Sequence, residues 1–474
     1  MDAIDLVAAF YVLTLTLLFI YGMNCFVLLY LHRKGKPPEV RPRDEAYPLV
    51  TVQLPVYNEM YVVERLIGAI VALDYPRERL EIQVLDDSTD ETSAMALRSV
   101  SRYRSMGYDI THIHRHDREG YKAGALANGL RYARGRYIAV FDADFLPARE
   151  FLRATIPSFS DPKVGMVQAR WGHINEDYSL LTKAQSIGID GHFQIEQQTR
   201  SDMGLFLNFN GTAGVWRRRC IEEAGGWQAD TLTEDLDLSY RAQLKGWRLV
   251  FLPQVVCPGE VPAQINAFKS QQFRWAKGSI QCGRKLVPRV LRADLPLFKK
   301  FEAVVHLTYY SVHPLMVVLL LLSLPLIVYH RDYLLYLKAF SIAAIGPPIL
   351  YLTSQRELYP GWRSKALYLP MLTIFGVGIS LNNSRAVLEG ILNVKSTFRR
   401  TPKFGIVGRG DGWRDKRYRL GLPKITILEL FLGLYALATF FVALRYGNYF
   451  MLPFLLLYIL GYFYVAGLTI RHSI

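Results

Sequence analysis

The sequence predicts an α/β domain, built largely on a parallel sheet, inserted between membrane-spanning helices. Apolar residues gather at the two ends of the 474-residue chain and leave a polar middle from about residue 34 to residue 294. Within that middle, short apolar runs alternate with helical stretches, the pattern of strands joined by crossover helices. Basic residues dominate, with a net charge of +15, and many flank apolar segments, where Lys and Arg face anionic lipid. No nucleic-acid-binding motif accompanies the charge, so a nucleic-acid partner is not expected. Cys25, Cys220, Cys257 and Cys282 are widely spaced, with no Cys-x-x-Cys pair, and predict neither a zinc site nor a disulfide framework.

Residues 4–31 are apolar for longer than a signal-peptide core and end in His32-Arg33-Lys34-Gly35-Lys36. They read as a retained spanning helix with its basic end inside. Further spans are expected at 306–329, 333–352, 425–444 and 449–470. Residues 366–392 are ambiguous, because Asn382, Asn383, Ser384, Arg385 and Glu389 crowd the second half. Were this segment to cross, the ten basic residues between Lys395 and Lys424 would face outside. The positive-inside tendency therefore favours an amphipathic interfacial helix, with the amino terminus outside and the carboxyl terminus inside.

The middle opens on an expected strand at 49–55, then a helix at 59–73. Strands follow at 80–85 and 137–141, the latter after a helix around 122–133. Ligands of open α/β sheets bind beyond the carboxyl ends of strands, and Asp86-Asp87 and Asp142-Ala143-Asp144 stand at two such ends. Asp86-Asp87 alone would also serve as a turn or helix cap. Two carboxylates one residue apart repel unless a cation or donors compensate them, and oxygen ligands of this kind suit Mg²⁺ or Mn²⁺ bridging phosphates. Thr233-Glu234-Asp235 precedes a helical pattern. It reads either as a capping cluster or, through Asp235, as a general base for a sugar hydroxyl.

Gln271-Gln272-Phe273-Arg274-Trp275 places amides, a guanidinium and an indole within about a turn and a half of helix. Arg suits diphosphate oxygens, and Trp offers a face for a sugar ring. An interfacial helix with Trp at headgroup depth is the alternative.

These residues together resemble the inverting family 2 glycosyltransferases of the cellulose synthase superfamily, marked by a DD pair, a DxD, a TED and a Q(Q/R)xRW in this order. The likeness extends to Pro55-Val56-Tyr57-Asn58-Glu59, Gly120-Tyr121-Lys122-Ala123-Gly124-Ala125-Leu126, Asn210 through Arg217 and Phe398-Arg399-Arg400-Thr401-Pro402-Lys403. The resemblance implies a GT-A fold with a Rossmann-like mixed sheet. It places Tyr57, Glu59, Asp86 and Asp87 at the donor nucleotide and Lys122, Gln271 and Arg274 at the diphosphate. Asp142 and Asp144 would hold Mg²⁺ or Mn²⁺, Asp235 with Glu234 would be catalytic, and Trp275, Gly211 and Thr212 would meet the acceptor. Phe398, Thr401 and Lys403 would belong to a gating loop.

The text around Asn210–Arg217 and Gln271–Trp275 is similar to the cellulose-synthase-like A and C branches, which make mannan, glucomannan or glucan backbones. With no PilZ segment or extra amino-terminal helices of the bacterial cellulose synthase kind, neither cellulose nor cyclic-di-GMP activation is expected. The expected function is transfer of hexose from UDP-glucose or GDP-mannose to a growing β-linked polysaccharide, with translocation through a multi-pass cell membrane protein whose catalytic domain is cytosolic. A single transfer to a membrane lipid, as in ceramide glucosyltransferases, is the alternative; a degenerate transporter or scaffold is a third. A homo-oligomeric state and a periplasmic partner stay open. The expected division is a spanning helix at 1–35, a GT-A domain at 36–265, interfacial helices at 266–300, a hairpin at 301–355, an interfacial helix and gating loop at 356–424, and a hairpin at 425–474.

Overall fold

The computed structural model describes residues 3–35, 47–329, 337–396 and 400–473. Seven strands form one sheet: β1 (Val50–Val56), β2 (Leu80–Asp86), β3 (Ile110–His114), β4 (Tyr137–Val140), β5 (Val164–His173), β6 (Gly214–Arg217) and β7 (Arg248–Gly259). Their spatial order is β3-β2-β1-β4-β6-β5-β7. Only β6 runs antiparallel to its neighbours, so the sheet is mixed. β1, β2 and β4 are buried on both faces, which is why they read as unbroken apolar runs rather than alternating ones. One core holds Leu54, Ile67, Val84 and Phe141; on the opposite face Leu126, Trp216 and Phe251 belong to the other. The four cysteines are buried thiols.

Among the described residues, four helices are long and apolar enough to cross a membrane: Ile4–Lys34, Leu297–Val328, Ile425–Arg445 and Tyr449–Arg471. A fifth candidate is a pair, Trp362–Gly378 and Ser380–Ile391, bent by 47°. Residues 366–392 are thus not one straight amphipathic helix. Lys365, near the start of the pair, bonds Glu176 of the sheet domain at 2.6 Å, and Glu389, near its end, bonds Lys277 at 2.8 Å. The two ends of the pair are thus tied to the sheet domain and to the long helix that follows it. The span expected over 333–352 also differs. Residues 330–336 lie outside the described residues, and the rest divides into a 3₁₀ stretch, Leu337–Ile345, and a helix, Gly346–Leu358. Pro347 and Pro348 explain the break, since proline starts a helix readily but cannot continue one.

The helix Ile265–Arg292 joins the two halves of the molecule. Lys269 pairs with Glu429 of the helix Ile425–Arg445 at 2.7 Å, both side chains being buried, and Lys277 bonds Glu389 and Ser396 at 2.8 Å each. A Cβ at Gly278 would stand 2.5 Å from Thr233, so only glycine lets this helix approach the turn that carries Glu234 and Asp235.

Candidate active site

One cleft at the carboxyl ends of β1 and β4 is lined by Tyr57, Glu59, Asp87, Lys122, Asp142, Asp144, Gly211, Glu234, Asp235, Gln271, Arg274 and Trp275, so that motifs far apart in the sequence meet there. The backbone is bent at its rim. Asn58, Tyr121 and Ala213 have positive φ values of 53°, 51° and 55°, next to Tyr57, Lys122 and Thr212. Such conformations are costly outside glycine and gather at functional sites.

At one end, Arg115 clamps Asp87 with two bonds of 2.6 and 2.7 Å, and Arg118 stacks 3.3 Å over the Tyr57 ring. The loops after β1 and β2 are stitched together by Asn58, which bonds Ser88 through its N–H and accepts from the Thr89 N–H. Burial pushes the Glu59 carboxyl up to about 7, against the pull of Arg400 and Lys403.

In the middle, Lys122 Nζ donates to Asp142 Oδ1 at 2.5 Å and to the Gly211 carbonyl at 2.8 Å. The Asp142 N–H donates to Thr212 Oγ1 at 2.8 Å. Lys403 pairs with Asp144 Oδ2. The other oxygen, Asp144 Oδ1, is buried with no hydrogen-bond partner among the described residues. An orphaned carboxylate oxygen beside a second carboxylate fits a hard divalent cation, for which these are the preferred donors.

Opposite them lies the helix Glu234–Leu244, whose first turn carries Glu234, Asp235 and Asp237. Thr233 makes no side-chain cap there; its hydroxyl lies 3.4 Å from Cys282 Sγ instead. Asp235 Oδ1 accepts the Leu236 N–H at 2.8 Å. Burial, then the adjacent Glu234 charge, pushes the Asp235 carboxyl up to about 7. A group poised there is an effective proton acceptor near neutral pH. Gly211, at φ +84°, leaves room for this carboxylate: a Cβ would stand 2.9 Å from Asp235 Oδ2.

Residues 400–405 strap the cleft. Arg400 lies 3.7 Å from Glu59, Arg274 donates to Thr401 Oγ1 at 3.2 Å, and the Phe404 and Gly405 N–H groups donate to Glu260 at 3.0 and 2.9 Å. Thr401 and Lys403 line the cleft, and Phe398 lies outside the described residues.

Two expected contacts fall elsewhere. Asp86 is fully buried and bonds Ser88, His112 and His114 rather than lining the cleft, and Thr212, also fully buried, supports Asp142 from behind. Arg118, Arg400 and Glu260 line the cleft without having been singled out. Arg118, one turn before Lys122, and Arg400, beside Thr401, carried a positional signal; Glu260 carried none, because only the folded strap gives it a role.

Residues 48–278 match the family model described as "Glycosyltransferase like family 2". From Oryza sativa subsp. japonica, glucomannan 4-beta-mannosyltransferase 1 is 42% identical over 265 residues, which are 55% of this chain and 51% of that protein. Probable glucomannan 4-beta-mannosyltransferase 7 of the same organism is 38% identical over 358 residues, 73% of this chain and 60% of that protein. The chain thus spans between half and two thirds of the length of these relatives. Among solved structures, the mannosyltransferase PcManGT from Pyrobaculum calidifontis, in complex with GDP-Man and Mn²⁺, is 21% identical with a TM-score of 0.59. That likeness covers 82% of this chain and 100% of PcManGT, and it is a likeness of fold. The mixed sheet, the motif-lined cleft and these matches together make residues 48–278 a GT-A domain of glycosyltransferase family 2.

Proposed function

We propose that the chain is an inverting β-mannosyltransferase that moves a hexose from GDP-mannose to the growing end of a β-linked polysaccharide and passes the product between its own helices, from a catalytic domain on the cytosolic side of the cell membrane. The observation that carries this reading is the convergence of Asp235 with Lys122, Arg274, Asp142 and Asp144 in one cleft. Asp235 takes the proton of an acceptor hydroxyl as that oxygen attacks the anomeric carbon. The bond from that carbon to the diphosphate breaks on the opposite face, and Lys122 and Arg274 meet the charge left on the diphosphate. Asp142 and Asp144 would hold Mg²⁺ or Mn²⁺, which when bound supplies positive charge beside the leaving group. Trp275 offers the acceptor sugar a flat apolar face. Between the helices, Tyr310 stacks on His313 at 6.0 Å and Asn383 bonds His313 at 3.0 Å, a cluster of polar and aromatic groups of the kind that suits a sugar chain.

GDP-mannose is chosen over UDP-glucose because the relatives from rice are named mannosyltransferases and PcManGT was solved with GDP-Man. Incubation of the purified chain with radiolabelled GDP-mannose or UDP-glucose tests this. A long product cut by β-mannanase, made from GDP-mannose and absent with Asp235→Asn, is expected. A product of one sugar on a lipid, or incorporation from UDP-glucose alone, would overturn the polymer or the donor assignment respectively.

A further inference from the structure

We infer that Asp86, His112 and His114 form a second divalent-metal site, of the Zn²⁺ or Co²⁺ class, distinct from Asp142 and Asp144. β2 and β3 pair in parallel with Asp86 opposite His114, and the two-residue spacing of a strand puts His112 and His114 on the same face. Asp86 Oδ2 lies 2.9 Å from His112 Nε2 and 3.1 Å from His114 Nδ1, and one ligand atom from each of the three residues falls within 4.8 Å of the others. Bonds of about 2.0–2.1 Å to a tetrahedral ion put neighbouring ligands about 3.3 Å apart, so small side-chain shifts suffice. Two imidazoles with one carboxylate suit Zn²⁺ or Co²⁺ better than Mg²⁺ or Mn²⁺, which take oxygen donors.

The three residues are graded from inside to outside. Asp86 is completely buried, the His112 side chain is 10% exposed and that of His114 is 28% exposed, which leaves an entry path and an open fourth position for water. Asp86 Oδ1 already accepts the Ser88 N–H at 2.8 Å, which fixes the carboxylate with Oδ2 aimed at the histidines. A third imidazole, His116, meets the His114 ring edge-on at 5.1 Å. The site sits directly behind Asp87 and Arg115, so a bound ion would pin the ends of β2 and β3 that hold this clamp. It would act on the cleft by positioning, without entering it.

The test is a titration of the full chain, purified in detergent and stripped with chelator, with Co²⁺ alone. Expected are one equivalent of Co²⁺ with the intense visible bands of four-coordination, displaced by Zn²⁺, and retained in Asp144→Asn. His114→Gln, at the exposed end of the cluster, is expected to weaken binding at least ~10-fold and to abolish the rise in Tm on adding Zn²⁺. Absence of four-coordinate bands in the parent protein would overturn the site, leaving two histidines that only donate to a buried carboxylate. So would bands that survive both His112→Gln and His114→Gln, or that disappear in Asp144→Asn. None of these outcomes depends on which sugar the cleft takes.

Discussion

At Asp235, proton affinity and reactivity are set by the same surroundings. Burial and Glu234 hold its carboxyl near 7, well above the ~4 of an unfolded aspartate. In the proposed role of proton acceptor it would work only when ionised, so kcat/KM is expected to rise with pH through about 7. Stability runs the other way. The folded state binds the Asp235 proton more tightly than the unfolded chain, so this contribution is full below ~4 and is lost as pH rises towards the folded value. Activity and Tm followed against pH should therefore diverge over this window; a Tm that climbs with pH there, with no counterpart in Asp235→Asn, would contradict the assignment. Gly211 is the second lever at this scale. Gly211→Ala places a methyl 2.9 Å from Asp235 Oδ2 at a φ that alanine resists. The expected cost is ~1–2 kcal/mol of stability and, by displacing the proposed base, about 10²-fold in kcat/KM.

Among the elements, the helix Ile265–Arg292 carries the most varied load: Arg274 and Trp275 in the cleft, Lys269 and Lys277 towards the apolar helices. Lys269→Ala leaves Glu429 buried and unpaired, at a cost of about 3–5 kcal/mol, whereas Lys269→Met combined with Glu429→Leu should recover most of the loss. Thermal unfolding of the three proteins in one detergent checks this; equal losses in the single and double variants would mean that packing, rather than the stranded charge, matters at this position. This helix also marks what could be read without a structure. That its Gln271, Arg274 and Trp275 would line a cleft could be anticipated, because these residue types suit phosphate and sugar chemistry. Its charged pairs could not be, because Glu429 lies one hundred and sixty residues away in an otherwise apolar segment. The β1, β2 and β4 runs were legible since burial on both faces writes itself as continuous apolar sequence. β3 was not: it is short and polar, Ile110-Thr111-His112-Ile113-His114, and its place at the sheet edge frees it from that constraint.

Across the whole molecule, the basic stretch after residue 395 was the feature whose meaning depended most on the fold. Charge bias alone put it on the same side as the sheet domain, and the described part lies on that domain: Arg417 bonds Glu91 at 2.7 Å and Gln264 donates to the Leu420 carbonyl at 2.9 Å. What charge could not disclose is that Arg400, Thr401 and Lys403 line the cleft, since that rests on Glu260 receiving two main-chain N–H groups. The bent pair Trp362–Gly378 and Ser380–Ile391 was equally unreadable as a shape, because its polar second half fits either an interfacial or a re-entrant path.

The shared helix Ile265–Arg292 also bears on how the molecule experiences its surroundings. One rigid rod anchors Arg274 beside the cleft carboxylates and, less than two turns away on each side, is bolted to two helices of the apolar half through Lys269 and Lys277. A tilt of those helices would be carried along the rod as a displacement of the guanidinium. In the proposed membrane setting, a change in lipid thickness would therefore reach this cleft guanidinium through the helix, in the way that a tensioned string sets the height of a bridge.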